Sequence, residues 1–136
     1  MATVLALDVG GTKLAAAVVD DAGRLLGRAR VPTPAGTGAE ALYEALIACA
    51  AAALRGADTT PGDLDGVGVA AGGPMNWPAG DVSPLNIPAW RDFPLRKRLA
   101  EEFATERVLL HNDAVALRNL ILHGWADRES AKEQKR

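Results

Sequence analysis

A chain of 136 residues is long enough for one domain with a real hydrophobic core and too short for two comfortable ones. Its 15 Lys and Arg against 17 Asp and Glu leave a net charge of -2 with no basic stripe, which argues against nucleic acid as a partner. A single cysteine, Cys49, rules out an internal disulfide or a cysteine zinc cluster and fits a cytoplasmic location; no basic leader and no bilayer-length apolar run points to a membrane.

Three strands are expected first, over Thr3 to Val9, Leu14 to Asp20 and Arg24 to Val31. Asp20-Asp21-Ala22-Gly23 supplies hairpin chemistry between the second and third. The first two are joined by Asp8-Val9-Gly10-Gly11-Thr12-Lys13, and this turn has two readings. It is ordinary Gly-Gly hairpin chemistry, or it is a cradle for a phosphate. In the second reading the glycines allow positive φ and close approach of an anion, Thr12 and Lys13 add a hydroxyl and a positive charge, and Asp8 is a carboxylate able to hold hydrated Mg²⁺. No Walker-type pattern occurs, and Leu14 to Val19 reads as strand, not helix.

Thr37 and Glu40 have capping-box spacing ahead of a helix over Ala41 to Leu54, with Leu42, Leu46, Cys49, Ala53 and Leu54 on one face and Gly56 as its C-terminal cap. Asp65 to Ala71 reads as a buried parallel strand; its Gly66 and Gly68 do not make a dinucleotide fingerprint, because Gly72-Gly73-Pro74 follows where a helix should begin. Residues 72–93 form a long connection rich in Gly, Pro, Asn and Trp. Pro94 opens a second helix with Leu95, Leu99 and Phe103 inward and the charges Arg96 to Arg98, Glu101 and Glu102 on a solvated face. Arg107 to His111 is a further strand, and Asn112-Asp113 starts a third helix carrying Leu117, Leu120 and Ile121. The expected organisation is α/β, β-β-β-α-β-α-β-α, with a mixed five-stranded sheet of the ribonuclease H-like, actin-like ATPase kind over residues 1–125 and a polar tail over 126–136.

In such a sheet, ligands collect beyond the carboxyl ends of the parallel strands, where Asp8 to Lys13, Gly72 to Pro74 and Asn112-Asp113 converge. Asp113 is either a plain helix cap or a carboxylate that accepts a proton from an attacking alcohol. Asn86 is either a turn residue or an amide offering donor and acceptor to a polyol, with Trp77 and Trp90 nearby in sequence to cover a C–H face. His111 and His123 lack partners at metal-ligand spacing, and Ser83 and Ser130 lie outside any nucleophile elbow.

Four segments in this order resemble the ROK family (repressor, open reading frame, kinase) of sugar kinases: Asp8 to Lys13 as the first phosphate motif, Gly66 to Pro74 as the strand ending in Gly-Pro, Leu85 to Trp90 as Asn-x-x-x-Trp, and Asn112-Asp113-Ala114 as the catalytic motif. The resemblance implies ATP and Mg²⁺ as cofactors and a hexose or N-acyl hexosamine as substrate. It implies Asp113 as the base acting on a primary hydroxyl, with Gly73, Asn86, Asn112 and Asp113 contacting the sugar. Gly10, Gly11, Thr12 and Lys13 would face the phosphates, and Asp8 would place the metal. Gly72 and Val115 stand where the family commonly has Pro and Asn. The family's second lobe, with its zinc motif, Glu-x-x-Gly-His motif and adenosine site, is not in this sequence. The chain therefore resembles the N-terminal lobe alone, expected to have little activity by itself and open to homo-oligomerisation through the face a second lobe would meet. A non-catalytic sugar-binding or regulatory module and an inert fragment remain the alternative readings.

Overall fold

The first strand, β1 (Thr3–Val9), alternates so that Leu5, Leu7 and Val9 point to one side and Val4, Ala6 and Asp8 to the other. The computed structural model describes residues 3–72, 75–76 and 79–112. The expected third helix, the polar tail, Gly73, Pro74, Trp77, Asp113, His123 and Ser130 lie outside the described residues.

β2 (Lys13–Asp20) and β3 (Leu25–Pro32) follow β1 as an antiparallel meander, closed between β2 and β3 by Asp20. That carboxylate is buried and accepts from the N–H groups of Ala22 and Arg24 and from Arg24 Nε at 2.9 Å. Gly23, at φ 81°, supplies the left-handed residue the hairpin needs. After helix α1 (Ala39–Gly56), β4 (Gly66–Ala71) adds parallel to β1 and β8 (Val108–His111) adds parallel to β4. The result is the expected mixed five-stranded sheet, in the order β3-β2-β1-β4-β8. Thr3 N–H donates to Asp65 Oδ2 at 2.7 Å, which pins the start of β1 to the entry of β4.

The main core lies between one sheet face and α1, where Leu42, Leu46, Cys49, Ala50 and Ala53 meet Leu5, Leu7, Leu14, Val18, Val67 and Val69. Small side chains on α1 let it approach the sheet closely. The closest point is Gly27 of β3, where a methyl group would lie 2.6 Å from Ala57 N and also collide with the Ala53 carbonyl. A second, smaller cluster on the opposite face joins Val4 and Ala70 to Ala6, Val19 and Leu109.

Several local expectations are corrected. The Thr37–Glu40 capping box does not form: Gly38 is the N-cap, without a side-chain cap bond, because Glu40 is turned away to Arg98. Gly56 is not the left-handed cap either, since the helix runs through it, Ala57 stays right-handed and the first positive φ falls at Asp58. The 72–93 connection contains a three-stranded antiparallel sheet of β5 (Met75–Asn76), β6 (Asp81–Val82) and β7 (Phe93–Pro94). Two-residue strands leave no period to read in the sequence.

Helix α2 (Leu95–Glu102) buries Leu95 and Leu99, with Phe103 at its C-cap. Its charged side is not uniformly solvated. Arg98 donates to both Glu40 carboxylate oxygens at 2.7 Å, and its guanidinium carbon lies 4.3 Å from the Tyr43 ring centroid. Tyr43 Oη in turn donates to the Arg98 carbonyl at 3.1 Å. Among the described residues no helix is long and apolar enough to cross a membrane.

Candidate functional site

Parallel pairing brings the carboxyl ends of β1, β4 and β8 to one edge of the sheet. Val9 is paired with Ala71, and Asp8 and His111 both flank Ala70, so Gly10, Gly72 and Asn112 leave the three strands side by side. Each chain end there has just left its ladder, which frees backbone groups for a ligand.

The turn after β1 is tied from both sides. Gly10 N–H donates to the Lys13 carbonyl at 3.0 Å, Thr33 Oγ1 donates to the Gly10 carbonyl at 2.7 Å, and Thr33 N–H donates to the Thr12 carbonyl at 2.9 Å. Sequence reasoning missed Thr33, although a hydroxyl between two prolines at the exit of β3 was the available signal. Thr12 and Lys13 are exposed, with Lys13 starting β2 opposite Pro32.

The expectation of positive φ at the two glycines is corrected: among the described glycines only Gly23, Gly36 and Gly80 have it. What Gly10 and Gly11 provide is room. A methyl on Gly10 would lie 3.0 Å from the Lys13 carbonyl oxygen. A methyl on Gly11 would lie 2.7 Å from Asn86 Nδ2 and 2.9 Å from its Cγ, closer than real side chains come.

Asn86 therefore rests on the turn itself. Its Oδ1 also faces Gly72, where a methyl would stand 3.9 Å away, with Pro84 Cβ at 3.7 Å. The loop carrying Asn86 is braced by Ile87 N–H to the Pro84 carbonyl, Trp90 N–H to the Ile87 carbonyl and Asp92 N–H to Ser83 Oγ. Arg91 Nη1 gathers the carbonyls of Pro84, Ile87 and Trp90. The Asn86 amide stays exposed, and no described residue hydrogen-bonds it.

Trp90 does not cover a sugar face. It is fully buried, stacked on Phe93 with centroids 4.5 Å apart, and its Nε1 donates to the Ala39 carbonyl at 3.2 Å. The ring that one of the two readings set over a sugar's C–H face instead anchors the Asn86 loop to the start of α1.

Asp8 ends the Val4–Ala6–Asp8 row as an exposed carboxylate, with its pKa raised because the surrounding strands partly desolvate the charged form. Among the described residues it has no ion-pair partner, and no cluster of three or more acidic, His or Cys side chains is suited to a metal ion. One exposed carboxylate fits an ion that takes most of its ligands from phosphate oxygens and water. The structure thus brings Asn86 onto Gly11, sets Asp8, Gly10 to Lys13, Gly72 and Asn112 at one edge, and leaves Gly73 and Asp113 outside the described residues.

Comparison with known proteins agrees with this architecture. The chain is 34% identical over 116 residues to a glucokinase of Streptomyces coelicolor, covering 85% of this chain and 34% of that one. It is 40% identical over 91 residues to an N-acetylmannosamine kinase of Yersinia pseudotuberculosis, covering 67% of this chain and 29% of the relative. The solved structure of a ROK family glucokinase from Streptomyces griseus, in complex with glucose and AMPPNP, superposes with a TM-score of 0.67 at 33% identity, over 81% of this chain and 33% of that one. The chain spans about a third of the length of these relatives. Residues 4–129 match the model of the ROK family, and with the actin-like fold shared by its solved kinases the chain belongs to that family.

Proposed function

We propose that this chain is the sugar- and phosphate-facing lobe of an ATP-dependent hexose kinase, active when a second lobe closes over it. The observation that supports this reading is the seating of Asn86 on Gly11, which sets an amide with both donor and acceptor directly against the glycine turn. Transfer of a phosphoryl group asks mainly for positioning and charge neutralisation, which small rigid loops at a sheet edge can supply.

Asp113 accepts the proton of the sugar's primary hydroxyl as its oxygen attacks the γ-phosphorus, while the bond from that phosphorus to the β–γ bridging oxygen breaks and ADP leaves. Asn86, Asn112 and the backbone of Gly73 hold the ring hydroxyls. The turn from Gly10 to Lys13 faces the phosphates, with Lys13 supplying positive charge. Asp8 would hold Mg²⁺, which when bound would supply charge neutralisation at the phosphates. The sugar is a hexose or an N-acyl hexosamine, and a lone lobe leaves the adenosine without its second wall.

Calorimetric titration of this chain with glucose, N-acetylmannosamine and AMPPNP tests the binding half of the reading. Weak sugar binding that falls about tenfold in Asn86→Ala is expected, the cost of one lost polar contact. A coupled assay with and without a second lobe supplied in trans tests the rest: turnover should appear only with it and vanish in Asp113→Ala. Sugar binding without nucleotide binding or turnover would instead mark a non-catalytic module, and binding of neither ligand would sink the proposal.

A further inference from the structure

We infer that Gly11 is a positioning residue for the Asn86 amide, so that one glycine of the phosphate turn also sets where a sugar hydroxyl is read. The inference deepens the sugar-loop reading above and rests on it for its meaning, though not for its geometry. The backbone at Gly11 is not left-handed, so the turn itself does not demand glycine there. The demand comes from Asn86, whose Nδ2, Cγ and Cβ would stand 2.7, 2.9 and 3.1 Å from any Cβ at that position.

The far side of the amide has ordinary room, because a methyl on Gly72 would meet Asn86 Oδ1 only at 3.9 Å. The loop cannot simply retreat. Pro84 and Ile87, on either side of Leu85 and Asn86, are buried, and Arg91 ties the carbonyls of Pro84, Ile87 and Trp90. A Cβ at Gly11 must therefore rotate or push the amide, while the same Cβ at Gly72 need not.

The experiment uses the ¹⁵N-labelled chain. Its Asn86 side-chain NH₂ resonances are assigned by their disappearance in Asn86→Gly. In Gly11→Ala this pair is expected to move by more than a linewidth, and in Gly72→Ala to stay close to its wild-type position. Thermal unfolding supplies an independent cycle: the change in Tm on Gly11→Ala is less favourable in the presence of Asn86 than in the Asn86→Gly background. If Gly11→Ala does not fold, recovery of folding in Gly11→Ala/Asn86→Gly supports the inference, and failure of both overturns it. An unmoved amide pair, or additive effects on Tm, also overturns it.

A glucose titration then connects the seat to function. Gly11→Ala should weaken glucose binding by the same factor as Asn86→Gly, with the double variant no weaker than either single one. Should the wild-type chain bind no glucose, the sugar-kinase reading fails while the amide shift and the thermal cycle still decide whether Gly11 seats Asn86.

Discussion

Trp90 lies flat on Phe93, with ring centroids 4.5 Å apart and planes 4° from parallel, and the pair closes the base of the loop that presents Asn86. Tyr43 of α1 meets Phe93 at 5.8 Å, so three aromatic rings join the loop, α1 and the strand leading into α2. Truncating Trp90 to Ala removes a fully buried ring and should cost about 3–5 kcal/mol. Trp90→Phe keeps most of the packing and loses the bond to the Ala39 carbonyl, a cost of about 1 kcal/mol. Urea titrations of both variants check the order. If Trp90→Ala unfolds no more easily than Trp90→Phe, the ring is not an anchor.

Glu40 and Arg98 lie 58 residues apart in sequence and form a two-pronged ion pair that links α1 to α2. Hydrogen bonding to the guanidinium lowers the Glu40 pKa below its ordinary value of 4.5. A carboxylate lowered on folding adds stability that is present above 4.5 and lost as pH falls through the lowered folded value. Glu40→Gln should therefore reduce Tm at neutral pH, with the difference from wild type closing as pH drops below 4.5. The difference should also shrink in high salt, since the pair is partly exposed. A gap in Tm that persists unchanged into acid would mean that Glu40 acts through packing instead.

Much of this fold is written in local pattern. Alternating apolar residues in β1 and β2, a turn ending in Gly23 and the 3.6-residue spacing of Leu42, Leu46, Cys49 and Ala53 each specify an element without reference to the rest of the chain. The antiparallel β1-β2-β3 meander follows from the short connections between those strands. What was not legible depends on residues distant in sequence. Glu40 has the spacing of a cap and is instead drawn to Arg98, and Trp90 looks like a ligand platform until Phe93 and Ala39 are placed around it. Likewise, two glycines in a turn suggest backbone freedom, and only the placement of Asn86 reveals that Gly11 is needed for space.

Gly27 makes the same point in the core. It lies in β3 where the register against β2 shifts, and a methyl there would run into the Ala53 carbonyl and stand 2.6 Å from Ala57 N. Both are backbone atoms of the α1 terminus, so no rotamer change can make way. Gly27→Ala should lower stability by about 1–3 kcal/mol, as overpacking does, measured by urea unfolding. Gly36, at φ 70° with open space around it, should tolerate Ala less well than its surroundings suggest, through backbone strain of about 1 kcal/mol. A negligible effect of Gly27→Ala would contradict this packing of α1 on β3.

Asp8 gives the opposite pH signature from Glu40. Partial desolvation raises its pKa above the ordinary 3.8, so folding favours its protonated form. The stability linked to that proton is fully present below 3.8 and lost as pH rises through the raised folded value. At neutral pH the ionised Asp8 is thus a small burden on the fold, with no described cation to relieve it. Asp8→Asn should raise Tm slightly at pH 7, and the gain should fade as pH is lowered below 3.8. A carboxylate that costs a little stability beside the Gly10–Lys13 turn is compatible with the proposed metal-holding role. The second half of the test separates this from chance: Mg²⁺ should strengthen AMPPNP binding to the wild-type chain and have little effect on Asp8→Asn. If the variant is stabilised but responds to Mg²⁺ as wild type does, Asp8 carries the desolvation cost without holding the ion.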